Sequence, residues 1–310
     1  MDKAMDNHAE FIVAGVGSGA CRVVNGMAGN KIENVRFVCI DTDMGCLSGC
    51  SNARTVCIGK TITRCFGSGK GPGIGRAAAE ESWEEIGEVL SPADMVFVIA
   101  CMGGGTGTGA ASVVAYLSKE AGKLTVGVAA RPFSFESGIC LNNAETGIRK
   151  LRKNSDSVVV VNNDGLFRQA GNFTGISGVF SGMVSELWVY VRSVADMVNG
   201  SGLINFDFAD IKTVFQNKEM VYIGAGTSSH DDKDRYLEAA RKALNNTLME
   251  MELETAGYAL VYISGDDVGL QEASFIASLV EDVTGEDSNI IFGVAGSDTG
   301  SVNVVIIASR

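Results

Sequence analysis

The chain has 310 residues, 46% hydrophobic and 20% charged, with a formal net charge of −12. It is long enough for one large or two medium domains, with the composition of a globular protein. The negative balance argues against unaided binding to nucleic acid or anionic lipid, both of which repel it. No apolar run approaches the roughly twenty residues that cross a bilayer. The N-terminal MDKAMDNHAE lacks the apolar stretch of a secretory signal, so a cytoplasmic location is expected.

Residues 11–15 (FIVAG) read as a short buried strand, followed by Gly15-Val16-Gly17-Ser18-Gly19-Ala20-Cys21 and a helical stretch through Met27. A glycine-rich turn between strand and helix suggests a nucleotide at a doubly wound sheet without saying which one. A second strand, 37–40, ends at Asp41. An acid about twenty residues past such a turn is what a dinucleotide-binding domain uses on the ribose, so an oxidoreductase stays open at this point. All eight cysteines (Cys21, Cys39, Cys46, Cys50, Cys57, Cys65, Cys101, Cys140) lie in the first half. Cys46 and Cys50 are close, but no second pair or His follows at zinc-ligand spacing. Packed, reduced thiols are expected, with metal or redox work as the alternative. Two histidines, His8 and His230, leave little for a His-based hydrolase.

A second glycine-rich loop, residues 66–76 (FGSGKGPGIGR), leads into an acidic helix over 77–90. The third and densest begins after the buried strand 95–100, as Gly103-Gly104-Gly105-Thr106-Gly107-Thr108-Gly109, with a helix expected over 110–121. Backbone N–H groups at a helix N-terminus attract phosphate, because they are unpaired and the helix dipole is positive there. Glycines allow close approach of the oxygens, and the two threonines can add hydroxyl donors. No Lys follows at Walker spacing.

Further on, a strand at 124–130 ends at Arg131-Pro132-Phe133-Ser134-Phe135-Glu136; a helix over 143–154 precedes Val158-Val159-Val160-Val161 and Asn162-Asn163-Asp164. Strand and helix in alternation, joined by short loops, predict a mostly parallel three-layer α/β sheet with its ligand outside the carboxyl ends of the strands. Residues 180–199 read as one long helix joining two domains. In Gly202-Leu203-Ile204-Asn205-Phe206-Asp207-Phe208-Ala209-Asp210, two carboxylates three apart share a face. They can position and polarise water, or cap a helix expected from near Ile211. Strands follow at 221–226, 258–264, 289–294 and 302–308, with helices at 234–245 and 272–284. The polar turn 298–301 predicts a hairpin between the last two strands.

GGGTGTG after a hydrophobic strand, the two other glycine loops in their order, and NFDFAD together resemble FtsZ, of the tubulin and FtsZ superfamily, over about residues 10–309. The resemblance implies a three-layer, Rossmann-like GTPase domain (10–179), a connecting helix (180–202) and a smaller α+β C-terminal polymerisation domain (203–309). It implies GTP or GDP as ligand, with Mg²⁺ on the triphosphate. Gly17, Ser18, Gly19, Ala20, Gly69, Lys70, Gly71, Gly103, Gly104, Gly105, Thr106, Gly107 and Thr108 would hold phosphates. Glu136 would hold the ribose, Asn163 the guanine edge, and Phe180 would stack on the base. Asn205, Asp207 and Asp210 would act on the nucleotide of the next subunit in a head-to-tail homopolymer, so that hydrolysis requires assembly, in cell division or a related filament system.

The chain departs from the family pattern at Cys140 (Arg in the family), Ser185 (Asp), Arg22 (Asn) and Asp41 (Asn). The neighbouring Glu186 can substitute for the missing base-reading acid, although adjacent helix positions point about 100° apart, and Arg22 and Lys70 are cations that can replace the lost Arg. The alternative is a paralogue that forms structural or regulatory filaments with weak or no nucleotide binding. Arg310 follows the last strand directly, without the linker and peptide through which FtsZ proteins meet membrane-tethering partners. Such anchors are not expected to engage, nor is direct membrane contact.

Overall fold

The apolar run at residues 11–16 forms β1 (Phe11–Val16), every residue of which is buried. Phe11 and Val13 face one core; Ile12, Ala14 and Val16 face another on the opposite side. Two buried faces explain why this strand is continuously apolar rather than alternating. The structure, a computed structural model, describes residues 8–165, 176–200, 203–229, 234–266, 268–296 and 300–310.

In chain order the first half holds β1, α1 (Ser18–Ala28), β2 (Val35–Asp41), α2 (Met44–Ser48), β3 (Arg54–Cys57), α3 (Pro72–Glu81), α4 (Trp83–Leu90), β4 (Met95–Cys101), α5 (Gly105–Glu120), β5 (Leu124–Arg131), α6 (Gly138–Asn154) and β6 (Ser157–Asn162). The six strands form a parallel sheet in the order β3-β2-β1-β4-β5-β6. The chain reverses direction across the sheet between β1 and β4, the switch point at which open α/β sheets bind ligands. Helices α3 to α6 cover one face, and α1 with α7 (Ile176–Asn199) the other.

The second half comprises α8 (Phe208–Phe215), β7 (Val221–Ser229), α9 (Arg235–Leu244), β8 (Tyr258–Gly265), α10 (Leu270–Thr284), β9 (Asn289–Gly296) and β10 (Ser301–Ser309). It folds as a smaller mixed sheet ordered β7-β10-β8-β9. One face packs on α9 and α10, and the other on α7 and α8 through Val221, Ile223, Leu260, Val305 and Ile307.

Several local expectations are corrected. The last two strands are not a hairpin. β9 pairs parallel with β8, and β10 runs antiparallel between β7 and β8. β10 is almost wholly buried whereas β9 is half exposed, so the more apolar strand takes the centre and the other the edge. The acidic helix over 77–90 is two helices meeting at Ser82, whose hydroxyl accepts the Gly59 N–H (3.0 Å). α7 begins at Ile176 rather than 180, and α6 at Gly138 rather than 143, where Ser137 Oγ caps the Cys140 N–H. α8 begins at Phe208 rather than near Ile211. There the Asp207 carboxylate accepts the Asp210 N–H (2.8 Å) and the Asp210 carboxylate the Asp207 N–H (2.9 Å), a reciprocal capping box.

Candidate functional site

Three glycine-rich segments meet above the carboxyl ends of β1, β2 and β4. α5 starts at Gly105 with Gly104 as its N-cap, so Gly105 to Gly109 of the third glycine segment form its first turn rather than a loop before it. The glycines are there for backbone contact. A Cβ on Gly17 (φ 84°) would lie 2.7 Å from the Gly107 nitrogen, and one on Gly105 would lie 2.6 Å from both Gly69 O and Ser68 Oγ. First loop thus packs on third, and third on second, which the Gly105 N–H ties down by donating to Gly69 O (2.9 Å). Thr106 is the hub: its hydroxyl lies 2.7 Å from Thr42 Oγ1 and 2.7 Å from Ser68 Oγ. Neither α1 nor α5 has a side-chain cap, nor do α3, α4, α9 and α10, whereas α2, α6 and α8 do. Two positive helix ends are therefore left without side-chain partners at one place.

The cleft they enclose has a volume of about 530 Å³. Gly17, Ser18, Gly19, Gly69, Lys70, Gly103, Gly104, Gly105, Thr106, Gly107, Glu136 and Asn163 line it. Three expected residues do not. Ala20 is fully buried in α1, Gly71 is the N-cap of α3, and Thr108 is buried with its hydroxyl accepting the Gly103 N–H (2.8 Å). Their roles are in shaping the loops. Phe180 lies in α7, but its side chain is outside the described residues. Asp41, Asp43, Ser68, Cys101, Phe133 and Cys140 also line the cleft without having been singled out as site residues. The signal for Asp41 and Asp43 was their position at the end of a central strand.

Asp41 is buried and accepts from Ser18 Oγ (2.6 Å) and the Thr42 N–H (2.7 Å). It fastens the first glycine loop to β2, so both its oxygens are engaged, unlike a ribose-reading acid. Glu136 is held by two donors: the Phe133 N–H to Oε1 (3.1 Å) and the Cys140 thiol to Oε2 (3.1 Å). Burial, then the Glu136 carboxylate, pushes the Cys140 thiol up to about 11, while Lys70 pulls it down. The Lys70 carbonyl accepts from Asn143 Nδ2 (3.2 Å), on the same helix as Cys140. Lys70 is also the one cation among the described residues that line the cleft, beside the carboxylates Asp41, Asp43 and Glu136. Arg22 is exposed on α1 and is not part of the lining.

Asn163 is 8% exposed, and its Oδ1 has no hydrogen-bond partner among the described residues. A buried acceptor without a partner costs about 1–3 kcal/mol, which a ligand donor would recover. Ser185 spends its hydroxyl on Ser181 O (3.1 Å), and Glu186 accepts from Tyr190 Oη (2.9 Å). Neither is among the described residues that line the cleft.

Asn205, Asp207 and Asp210 lie at the other end of the molecule. Asn199, the last residue of α7, exchanges two hydrogen bonds with Ala9, just before β1 (3.0 and 3.1 Å). The Lys218 N–H donates to Asp156 O (2.8 Å), just before β6. Residues 203–218 therefore sit at the amino ends of the strands. The cleft is at the carboxyl ends, about 20 Å away along the six residues of β1. Phe206 anchors the acidic loop beneath Gly293, where a Cβ would come within 2.1 Å of its ring. A second cleft of about 380 Å³, between α7 and the C-terminal sheet, contains none of these residues. Among the described residues no helix is long and apolar enough to cross a membrane, and no three His, Cys, Asp or Glu side chains are grouped to hold a metal.

Glycine loops converging on uncapped helix ends at the switch point of a parallel sheet define an α/β nucleotide-binding protein of the doubly wound class. Residues 10–171 match the family model of the tubulin/FtsZ GTPase domain and residues 220–309 that of the FtsZ C-terminal domain. The chain is 39% identical over 286 residues to cell division protein FtsZ 1 of Thermococcus kodakarensis, covering 92% of this chain and 76% of that one. It superposes on an empty FtsZ dimer from M. jannaschii with a TM-score of 0.89 and 34% identity, over 99% of this chain and 89% of that one. It shares the fold of CetZ2 from Haloferax volcanii in a GTPγS-bound protofilament (TM-score 0.85, 20% identity, 97% and 93% coverage). The chain belongs to the tubulin/FtsZ family.

Proposed function

We propose that the chain binds GTP in the glycine-loop cleft, assembles head to tail, and hydrolyses GTP at the junction between subunits, in cell division or a related filament system. One observation carries this reading: the glycine loops and the acid pair occupy opposite ends of one subunit. Asp207 and Asp210 are too far from their own cleft to act there. In an open head-to-tail stack, one subunit's acidic loop faces the next subunit's cleft, and such heterologous contacts build filaments.

The uncapped α1 and α5 ends, the Thr106 hydroxyl and Lys70 hold phosphate oxygens, while Glu136, fixed by Phe133 and Cys140, meets the ribose. The Oδ1 of Asn163, without a partner among the described residues, suits an N–H donor on a base edge, which guanine offers. Each carboxylate of the capping box uses one oxygen on a backbone amide, leaving the other to orient and polarise water. Three cleft carboxylates and one cation leave the triphosphate charge uncompensated, so Mg²⁺ would be needed. With no ready-made metal cluster among the described residues, the ion would be held through the phosphates, Asp41 and Asp43 being the carboxylates nearby. It would supply neutralisation of the phosphate charge.

A second reading, a filament protein with weak nucleotide binding and no turnover, draws on Cys140 and Ser185, which remove a cation and a base-reading acid. Titration with GTP and ATP, with phosphate release and sedimentation followed across protein concentration, separates the two. Turnover per subunit that rises with concentration and requires GTP supports the first. Polymer without turnover supports the second.

A further inference from the structure

Most of the cysteines pack as the sequence suggests. Cys21, Cys39 and Cys50 are buried and donate to backbone carbonyls, and Cys140 donates to Glu136. Cys57 and Cys65 differ: their sulfurs lie 3.1 Å apart. Cys57 is the buried last residue of β3. Cys65 is half-buried between exposed Arg64 and Phe66, in the segment that enters the second glycine loop. Its backbone is in the left-handed region (φ 62°), and its carbonyl accepts the Met44 N–H (3.1 Å). Three residues on, Ser68 joins the Thr106 hydroxyl hub. A disulfide needs its sulfurs at about 2.05 Å, so the two side chains have only about 1 Å to close between them.

We propose that Cys57 and Cys65 are a thiol–disulfide exchange site whose oxidation pins the second glycine loop to the end of β3. The co-reactant is a low-molecular-weight disulfide. Cys65, the more accessible thiol, loses its proton and attacks one sulfur of that disulfide, releasing one small thiol and leaving a mixed disulfide. Cys57 then loses its proton and attacks Cys65 Sγ, expelling the second small thiol. Two protein thiols are oxidised to one disulfide, and the external disulfide is reduced to two thiols. Burial holds the Cys57 thiol up at about 12, so the second step quickens as pH rises. A pinned Cys65 leaves Ser68, Gly69 and Lys70 less freedom. By preorganising the loop it slows ligand release several-fold, a consequence that rests on the nucleotide reading above.

The test incubates the full reduced chain in glutathione/glutathione-disulfide buffers, alkylates the remaining thiols and maps tryptic peptides. The expected product links peptide 55–60 to peptide 65–70, two hydrogens lighter than the reduced pair, with the other six cysteines alkylated. Cys57→Ser is expected to stop at a glutathione adduct on Cys65, and Cys65→Ser to leave Cys57 reduced. A persistent adduct on Cys65 in the unmutated chain, or first closure of another pair such as Cys46 and Cys50, overturns the proposal. Release of a fluorescent GTP analogue is then timed for both forms. Equal or faster release from the linked form overturns the loop-pinning role. Failure of the reduced chain to bind the analogue, with the linked peptides still formed, counts against the nucleotide reading alone.

Discussion

Asp210 tests whether the acid pair does chemistry or only caps α8, because two substitutions separate the roles. Its carboxylate accepts the Asp207 N–H at 2.9 Å, and its own N–H donates to Asp207 at 2.8 Å. Asp210→Ala removes one arm of the box, a loss of about 0.5–2 kcal/mol. At about 2–4 °C per kcal/mol for large domains, melting falls by a few degrees. Asp210→Asn keeps an oxygen acceptor on the same backbone N–H and removes only the charge, so melting stays within about 1 °C. A carboxylate that positions or activates water contributes about 10²–10⁴ in rate. Both variants should therefore lose at least about a hundredfold in GTP turnover with nucleotide affinity unchanged, since the loop is not part of the cleft. The assay is phosphate release across protein concentration, with nucleotide titration and thermal melts on the same samples. If Asp210→Asn turns over GTP like the unmutated chain, the cap is the loop's whole function and the acid-pair mechanism is wrong.

Lys70→Ala should weaken triphosphate binding by the worth of one charge-assisted hydrogen bond, about 1.5–3 kcal/mol or roughly 10- to 150-fold. Arg22→Ala should leave it unchanged in the same titration, and the reverse result would move the compensating cation to α1. Gly105→Ala puts a Cβ 2.6 Å from Gly69 O and Ser68 Oγ. It should cost about 1–3 kcal/mol in stability and prise the second loop from the third, seen as loss of nucleotide binding beside a lowered melting temperature. Burial pushes Cys101 up to about 12, and burial with the neighbouring Glu136 carboxylate pushes Cys140 up to about 11. In the unfolded chain both ionise near the usual value of about 8.5. The unfolded state thus sheds protons first as pH rises, and the stability held below about pH 8.5 is lost progressively above it. Melts from pH 7 to 11 under reducing conditions should show this decline, and a flat profile would contradict it.

Much of this molecule was legible because its signals are local. β1, β4, β5 and β6 are buried on both faces, so they read as unbroken apolar runs. The glycine segments announce themselves because only residues without a Cβ let Gly17 meet Gly107 and Gly105 meet Gly69. The family motifs carried the placement of Glu136, Asn163 and the acid pair. Other features depend on partners far away in the chain and left no periodic trace. Whether Lys70 or Arg22 faces the cleft depends on where the second glycine loop and α1 pack. That Asp41 holds Ser18, that Glu186 is taken by Tyr190, and that Cys57 meets Cys65 are facts of side-chain proximity. The position of β10 between β7 and β8 was hidden for the same reason: a short polar turn suits a hairpin, but burying the most apolar strand at the centre of the sheet outweighs the pairing that the turn suggests. Composition and spacing thus determined which segments become strands, helices and glycine-rich loops. Only tertiary packing decided which side chains share a cleft, and that loops and acid pair lie at opposite ends, since long-range burial sets both.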